Sequence, residues 1–229
     1  MTPETFHLLS DGLVRLSRND PDTDRLITPR LEDIFSLLAQ YITEIELYNP
    51  TLSLVGTDER QGLIIRHILD SLAPVGSISR LMTGSIPHIA DIGSGAGLPG
   101  IPLAIVMPEV KFTLIERKGR RANFLRHILT TLELANSVVE EAEMEKTQPG
   151  RFSLITFRAF RPLEPKIFKK LFRLCANGGC LAAYKGRREN IEAEMAFLEK
   201  ALPDISGRWE LIPCPVPFLD EQRHLLVIR

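Results

Sequence analysis

The sequence is short of the residues that build covalent or metal frameworks, with three cysteines and five histidines among 229 residues. Cys175, Cys180 and Cys214 are too few for a disulfide scaffold and read as small buried apolar groups. The histidines fall at no metal-ligand spacing, so no metal is expected. No run of about 18 apolar residues occurs, and the N-terminus lacks a basic segment followed by an apolar one, so neither a membrane span nor a secretory signal is expected. The cytosol is the default. Excess charge is missing too: 28 basic residues against 29 acidic ones leave a net charge of −1. Any contact with a polyanion must therefore come from a local patch. At 44% hydrophobic and 25% charged, the composition is globular, with length for one α/β domain and an appendage.

What is present is organised around residues 88–116. An apolar run from His88 to Ile92, carrying Asp91, leads into glycines at every second position: Gly93, Gly95 and Gly97. Leu98-Pro99 opens an apolar helix through Met107, because a first-turn proline lacks only an N–H that would have had no partner. Pro108 stops it. A second strand, Val110 to Ile115, is rich in β-formers and ends in Glu116. Strand, glycine loop, helix and strand make a βαβ unit in which free helix N–H groups and close backbone approach favour a ligand.

Charge and register narrow the ligand. Gly95-Ala96-Gly97-Leu98-Pro99-Gly100 spells G-x-G-x-x-G, which raises a nicotinamide or flavin dinucleotide first. Asp91 opposes it, since a carboxylate beside the loop would repel a pyrophosphate at the helix end. S-adenosylmethionine, with a sulfonium and an α-ammonium, suits an acid better. Gly93, Gly95, Gly97 and Leu98 would line it, and Glu116 would accept hydrogen bonds from its ribose. Dinucleotide sites also carry an acid on the second strand, so Glu116 alone does not discriminate.

Ahead of this unit, Phe6, Leu9, Leu13 and Leu16 recur at helical spacing, and Arg18-Asn19-Asp20-Pro21-Asp22 reads as a loop. Leu31, Ile34, Phe35, Leu38, Ile42 and Ile45 form the stripe of a second helix, capped by Thr28 and closed before Asn49-Pro50. A third helix, about Asp58 to Leu72, sets Arg66 and Asp70 four apart on one face, where they can pair with each other. Residues 1–75 are thus expected as a helical extension, and 76–229 as the main domain, with Val75 to Pro87 as the linking stretch.

After the unit, helices are expected over Arg120–Leu134, Leu163–Cys175 and Glu189–Leu202. Strands are expected at Ser137–Val139, Phe152–Phe157, Cys180–Tyr184, Trp209–Val216 and His224–Ile228, with a turn at Asn177-Gly178-Gly179. That alternation implies a sheet with helices on both faces. Arg117-Lys118-Gly119-Arg120-Arg121 is the densest cationic patch, and cations at a helix N-terminus oppose its dipole, so they need another reason to be there.

Five stretches together resemble one family: Arg66-His67-Ile68-Leu69-Asp70-Ser71, Asp91 to Leu103, Arg158-Ala159-Phe160, Lys185-Gly186 and Glu221-Gln222-Arg223-His224-Leu225. Over roughly residues 45–229 the chain is similar to the bacterial small-subunit ribosomal RNA guanine-N7 methyltransferases of the glucose-inhibited division protein B family. The resemblance implies a class I S-adenosylmethionine-dependent fold, Rossmann-like, with a seven-stranded mostly parallel sheet. It implies methyl transfer to a guanine N7 of 16S ribosomal RNA, S-adenosylmethionine as cofactor, Ala142 and Glu143 at the adenine, and Arg158 touching the cofactor. Arg158 and Lys185 are the candidate positioning groups for catalysis. RNA contacts are expected from Arg117, Lys118, Arg120 and Arg121, with Arg66, His67, Lys185 and Arg223 as further candidates.

Guanine N7 has a free lone pair at neutral pH, so positioning suffices for its attack. Phe157-Arg158-Ala159-Phe160 is not the Asn-Pro-Pro-Tyr type of loop used on exocyclic amines. Cytosine C5 chemistry needs a nearby thiolate, and Pro213-Cys214 lies in the C-terminal β region. Two alternatives stay open: a nicotinamide-dependent oxidoreductase, and a non-catalytic module binding S-adenosylmethionine or RNA. The expected partner is 16S ribosomal RNA or the small ribosomal subunit, with no DNA, no membrane and a monomeric chain.

Overall fold

In a computed structural model the chain is described over residues 2–57, 59–82, 87–159 and 162–229. Asp58, Phe160 and the Thr83–Ile86 part of the linking stretch lie outside them. Thr2 opens helix α1 (Pro3–Asn19) by accepting the Thr5 amide at 3.4 Å. Leu9, Leu13 and Leu16 bury as their spacing predicts, whereas Phe6 stays 47% exposed and packs on Phe35. The expected loop at Asp20-Pro21 is instead the start of α2 (Pro21–Ile27). The Asp20 carboxylate accepts the amides of Asp22 and Thr23 at 2.8 and 3.1 Å, and Pro21 takes the first-turn position.

A 3-10 turn over Thr28–Arg30 feeds α3 (Leu31–Leu52), so Thr28 is not its cap. The expected stop before Pro50 also fails. A proline in the last turn removes only one amide bond there, and Asn49 Oδ1 gathers the amides of Leu54 and Val55 at 2.8 and 2.9 Å. The third helical run begins as α4 (Arg60–Leu63), widens to π geometry over Ile64–Leu69 and closes as α5 (Asp70–Leu72). Val75–Leu81, read as linker, forms α6.

The βαβ unit consists of β1 (His88–Ile92), α7 (Gly100–Val106) and β2 (Lys111–Ile115), with Pro99 as the helix cap. It is followed by α8 (Gly119–Thr131), β3 (Ser137–Glu140), β4 (Phe152–Phe157), α9 (Pro165–Phe172), β5 (Cys175–Lys185), α10 (Arg188–Ala201), β6 (Trp209–Pro213) and β7 (His224–Ile228). The expected turn at 177–179 is absorbed into β5 as an irregularity against β4. A Cβ on Gly179 would lie 2.8 Å from the Phe152 carbonyl, so only glycine lets the two strands close there.

The strands pair in the order β3-β2-β1-β4-β5-β7-β6. All ladders are parallel except those of β7, which runs antiparallel to β5 and β6. This is the seven-stranded, mostly parallel sheet that was expected. Alternating strand residues feed two cores. Ile89, Phe112 and Leu114 pack under the N-terminal helices, α7 and α8; Ala90, Ile115 and Ile155 pack under α9 and α10. The N-terminal helices thus share one continuous core with the sheet. Cys180 and Cys214 are buried, while Cys175 is half-buried. Among the described residues no helix is long and apolar enough to cross a membrane.

Candidate active site

The carboxyl ends of β1 and β2 carry the two acids singled out by the sequence. Asp91 is 1% exposed; its Oδ2 accepts the Gly100 amide at 3.1 Å, while its Oδ1 is buried without a hydrogen-bond partner among the described residues. Burial pushes its carboxyl up from 3.8 to about 6, against the pull of the Ser94 hydroxyl, the Gly100 amide and the Arg158 charge. Glu116 clamps the loop from the other side, its two oxygens accepting the amides of Gly95 at 3.0 Å and Lys118 at 2.8 Å.

Between the acids Gly93, Gly95 and Gly97 have φ of 70°, 58° and 93°. Their freedom is used differently. A Cβ at Gly97 would lie 2.4 Å from Ile101 Cδ1, whereas one at Gly95 would make only ordinary contacts, with Arg121 Nη1 and the Gly93 carbonyl, both at 3.7 Å. Leu98 is buried and its amide bonds the Ser94 carbonyl at 3.3 Å. The loop is also held from the N-terminal helices: the Tyr41 hydroxyl donates to the Ala96 carbonyl at 2.7 Å, and burial keeps that phenol well above its usual 10. The Ala142 amide is already engaged by the Glu116 carbonyl at 3.2 Å, and Glu143 is exposed at the start of the Met144–Lys146 turn.

Beside the loop, at the ends of β4 and β5, lies a cavity of about 330 Å³ whose lining includes Arg66, His67, Asp70, Arg158, Lys185 and Arg223. Asp70 is its hub. Its Oδ2 accepts Arg158 Nη1 at 3.0 Å and its Oδ1 accepts Arg223 Nε at 3.1 Å. Arg66 and Asp70 therefore do not pair with each other; Arg66 pairs with Glu221 at 2.7 Å, which also holds Arg223 at 3.0 Å.

Arg158 Nη2 sits 2.9 Å from His67 Nδ1, and a guanidinium can only donate, so that nitrogen accepts. Burial first, then the charges of Arg158 and Arg66, push the imidazole down from 6.5 to about 4. The π turn leaves the Arg66 carbonyl to Arg158 at 3.2 Å and the His67 carbonyl to Ser71 Oγ at 2.6 Å. Lys185 gives 2.8 Å bonds to both oxygens of Glu194. Ala159, directly after Arg158, has φ 51°, a left-handed backbone that alanine adopts at a cost.

The family model described as rRNA small subunit methyltransferase G matches residues 34–204. A relative from Treponema pallidum (strain Nichols), named ribosomal RNA small subunit methyltransferase G, is 37% identical over 100% of this chain and 96% of its own length. Relatives of the same name from Treponema denticola and Cellvibrio japonicus are 32% and 36% identical, over 96% and 84% of this chain and 93% and 84% of theirs. The chain belongs to the rRNA small subunit methyltransferase G family. Two solved structures share the fold. A precorrin-6y C5,15-methyltransferase from Geobacter metallireducens has a TM-score of 0.52 at 17% identity, over 69% of this chain and 87% of that one. A SAM-dependent methyltransferase from Aquifex aeolicus has 0.51 at 17%, over 68% and 88%. Membership in the methyltransferase G family leaves the oxidoreductase and the non-catalytic module without support.

For a member of the methyltransferase G family the disposition of cations matters most, and the basic patch divides. Arg117, Lys118 and Arg120 are exposed, and among the described residues their side chains have no ion pair or hydrogen bond. Arg121 is committed to the Ser53 carbonyl at 2.7 Å, and Arg126 to Asn123 and Glu141. Arg66, His67, Lys185 and Arg223 gather at the cavity, each held by another side chain. Sequence reasoning missed Tyr41, although it falls on the same helical face as Leu38 and Ile45, and it missed Glu194 and Glu221 as the groups that hold Lys185, Arg66 and Arg223.

Proposed function

We propose that this chain transfers the methyl group of S-adenosylmethionine to N7 of a guanine in 16S ribosomal RNA, acting as a cytoplasmic monomer on the small ribosomal subunit or its RNA. The observation that carries this reading is the buried Asp91 oxygen left without a partner among the described residues at the mouth of the glycine loop, in a chain of an rRNA methyltransferase family. The residues fit the cofactor. A carboxylate with one free oxygen suits an ammonium, and the backbone at Gly95 is not crowded, with nothing nearer than 3.7 Å to the position a Cβ would take. Asp91 would hold the ammonium and Glu116 the ribose hydroxyls, with Gly93, Gly97 and Leu98 shaping the loop and Ala142 and Glu143 beside the adenine.

Bound S-adenosylmethionine supplies a methyl group on a sulfonium, open to in-line attack by a lone pair. Guanine N7 offers that lone pair without losing a proton, so the side chains have to bind, orient and exclude water. Arg158 and Lys185, fixed by Asp70 and Glu194, serve as positioning groups, and Arg66, His67 and Arg223 rim the entrance. Residues 1–75 act as a helical extension on a methyltransferase domain of residues 76–229.

The test is methyl transfer from tritiated S-adenosylmethionine to small ribosomal subunits and to their extracted RNA, with the labelled base mapped by reductive strand cleavage. Label on a guanine that becomes cleavable supports the reading. Label on adenine or cytosine, or none in either substrate, overturns it.

A further inference from the structure

A groove of about 480 Å³ runs between α3 and α8, away from the cavity at the strand ends, lined by Leu47, Tyr48, Leu52, Arg120, Phe124 and His127 among others. Its floor is aromatic. The Tyr48 ring lies 5.4 Å from that of Phe124 and 5.3 Å from that of His127, tilted by 58° and 50°. Leu47 projects from its edge, 69% exposed. The acids near it are already engaged: Glu44 bonds His127 at 2.8 Å, and Glu141 bonds Arg126 at 2.9 Å. The cation in its lining, Arg120, is not engaged, and neither are Arg117 and Lys118 just before it in the chain; none of the three has a partner among the described residues. Three cations beside the start of α8 oppose the helix dipole, a cost that an incoming anion would reverse.

We propose that this groove binds a single-stranded segment of ribosomal RNA, with a base stacked against Tyr48 and the adjoining phosphates on Arg120 and Lys118. This inference rests on the function proposed above and adds to it a second RNA contact, on the side of the glycine loop where Glu116 and the Lys118 amide meet. An aromatic floor with a cationic mouth is the combination by which proteins hold unpaired nucleotides: the ring takes any base face, and the cations follow the backbone. A purely apolar partner would leave Arg120 unpaired, and an acidic peptide would have no use for the aromatic floor. The two halves of the groove make different physical demands. Stacking is insensitive to salt, whereas each phosphate contact on single-stranded RNA contributes about 0.7 to the slope of log affinity against log salt.

The experiment measures binding of a fluorescent single-stranded oligoribonucleotide to the full chain over a salt series, by anisotropy. Tyr48→Ala is expected to weaken binding about ten- to a hundredfold with the salt slope unchanged. Tyr48→Phe should restore it, and Arg120→Ala should lower the slope by about 0.7. Leu47→Glu, at a position too exposed to disturb folding, should weaken RNA binding by placing an acid at the groove. Cofactor affinity should hold in all four variants, which separates this outcome from a lost fold. Wild-type RNA affinity in both Tyr48→Ala and Leu47→Glu overturns the proposal, as does equal, Tyr48-dependent binding of a polyglutamate peptide. Methyl transfer to RNA by the wild-type chain tests the function separately, so its failure is distinguishable from failure of the groove.

Discussion

Arg158 and Asp70, 88 residues apart in sequence, meet at 3.0 Å and fasten the tip of β4 to the helical extension. Asp70 answers two guanidinium groups at once and is only 8% exposed. An arginine expected to serve the cofactor is thus also a structural tie.

The first prediction follows from that arrangement. Asp70→Ala leaves the half-buried Arg158 without its carboxylate, while Arg223 keeps Glu221, and should cost about 3 kcal/mol in urea unfolding. Arg158→Ala leaves Asp70 its Arg223 partner and should cost less, while methyl transfer falls. A midpoint for Asp70→Ala equal to wild type would show that the network contributes nothing to stability.

Asp91 gives a pH dependence. Its folded value of about 6 lies above the ordinary 3.8, so the ligand-free fold binds this proton more tightly than the unfolded chain does. The corresponding stability is full below about pH 4 and is lost as pH rises through about 6, with about 3 kcal/mol gone by about pH 8. Asp91→Asn should therefore raise the melting temperature of the ligand-free chain near neutral pH and flatten its pH dependence. For a cationic ligand the sign reverses: affinity for S-adenosylmethionine should drop as pH falls through about 6, and the variant should bind about ten- to a hundredfold more weakly at neutral pH. Calorimetry in buffers of different ionisation enthalpy reads the released proton directly.

Two neighbouring glycines should fail in opposite ways. Gly97→Ala drives a methyl against Ile101 and should unfold or strongly destabilise the chain. Gly95→Ala has room and carries only the strain of φ 58°, about 1 kcal/mol, so its melting temperature should move little while its cofactor affinity falls. Thermal melts with and without S-adenosylmethionine separate the two.

The basic patch is best tested at Lys118 and Arg120. Replacing both by alanine should reduce the salt slope of RNA binding by about 1.4 with unchanged stability. Arg121→Ala should instead loosen the end of α3, because it removes the donor to the Ser53 carbonyl. Hydrogen exchange at Leu54 and Val55 would report the difference.

The sheet was legible because β-formers, glycines and helix periodicity alternate clearly from His88 onward, and the loop glycines and strand-end acids marked a candidate site. What was not legible depended on partners distant in sequence. Asp20-Pro21 reads equally as a turn or as a cap and first turn, and only packing of Thr23 and Ile27 decides it. The Arg66–Asp70 spacing is correct for a helix pair, but Arg158, Arg223 and Glu221 compete and win. Lys185 and Arg121 are cations like any other in the sequence; Glu194 and the Ser53 carbonyl set them apart from Lys118 and Arg120.

The shared core has a consequence for the birth of the protein. Ile34, Leu38, Ile42 and Ile45 are buried together with Ile128, Leu225 and Val227, and the acceptor for the Tyr41 hydroxyl is Ala96. On a ribosome adding roughly 5–20 residues per second, the first helices emerge several seconds before the surface that covers them. The strand that completes this core, β7, follows α3 in the chain only after the rest of the sheet. The nascent chain must therefore carry an uncovered apolar stripe from the synthesis of α3 until β7 is made.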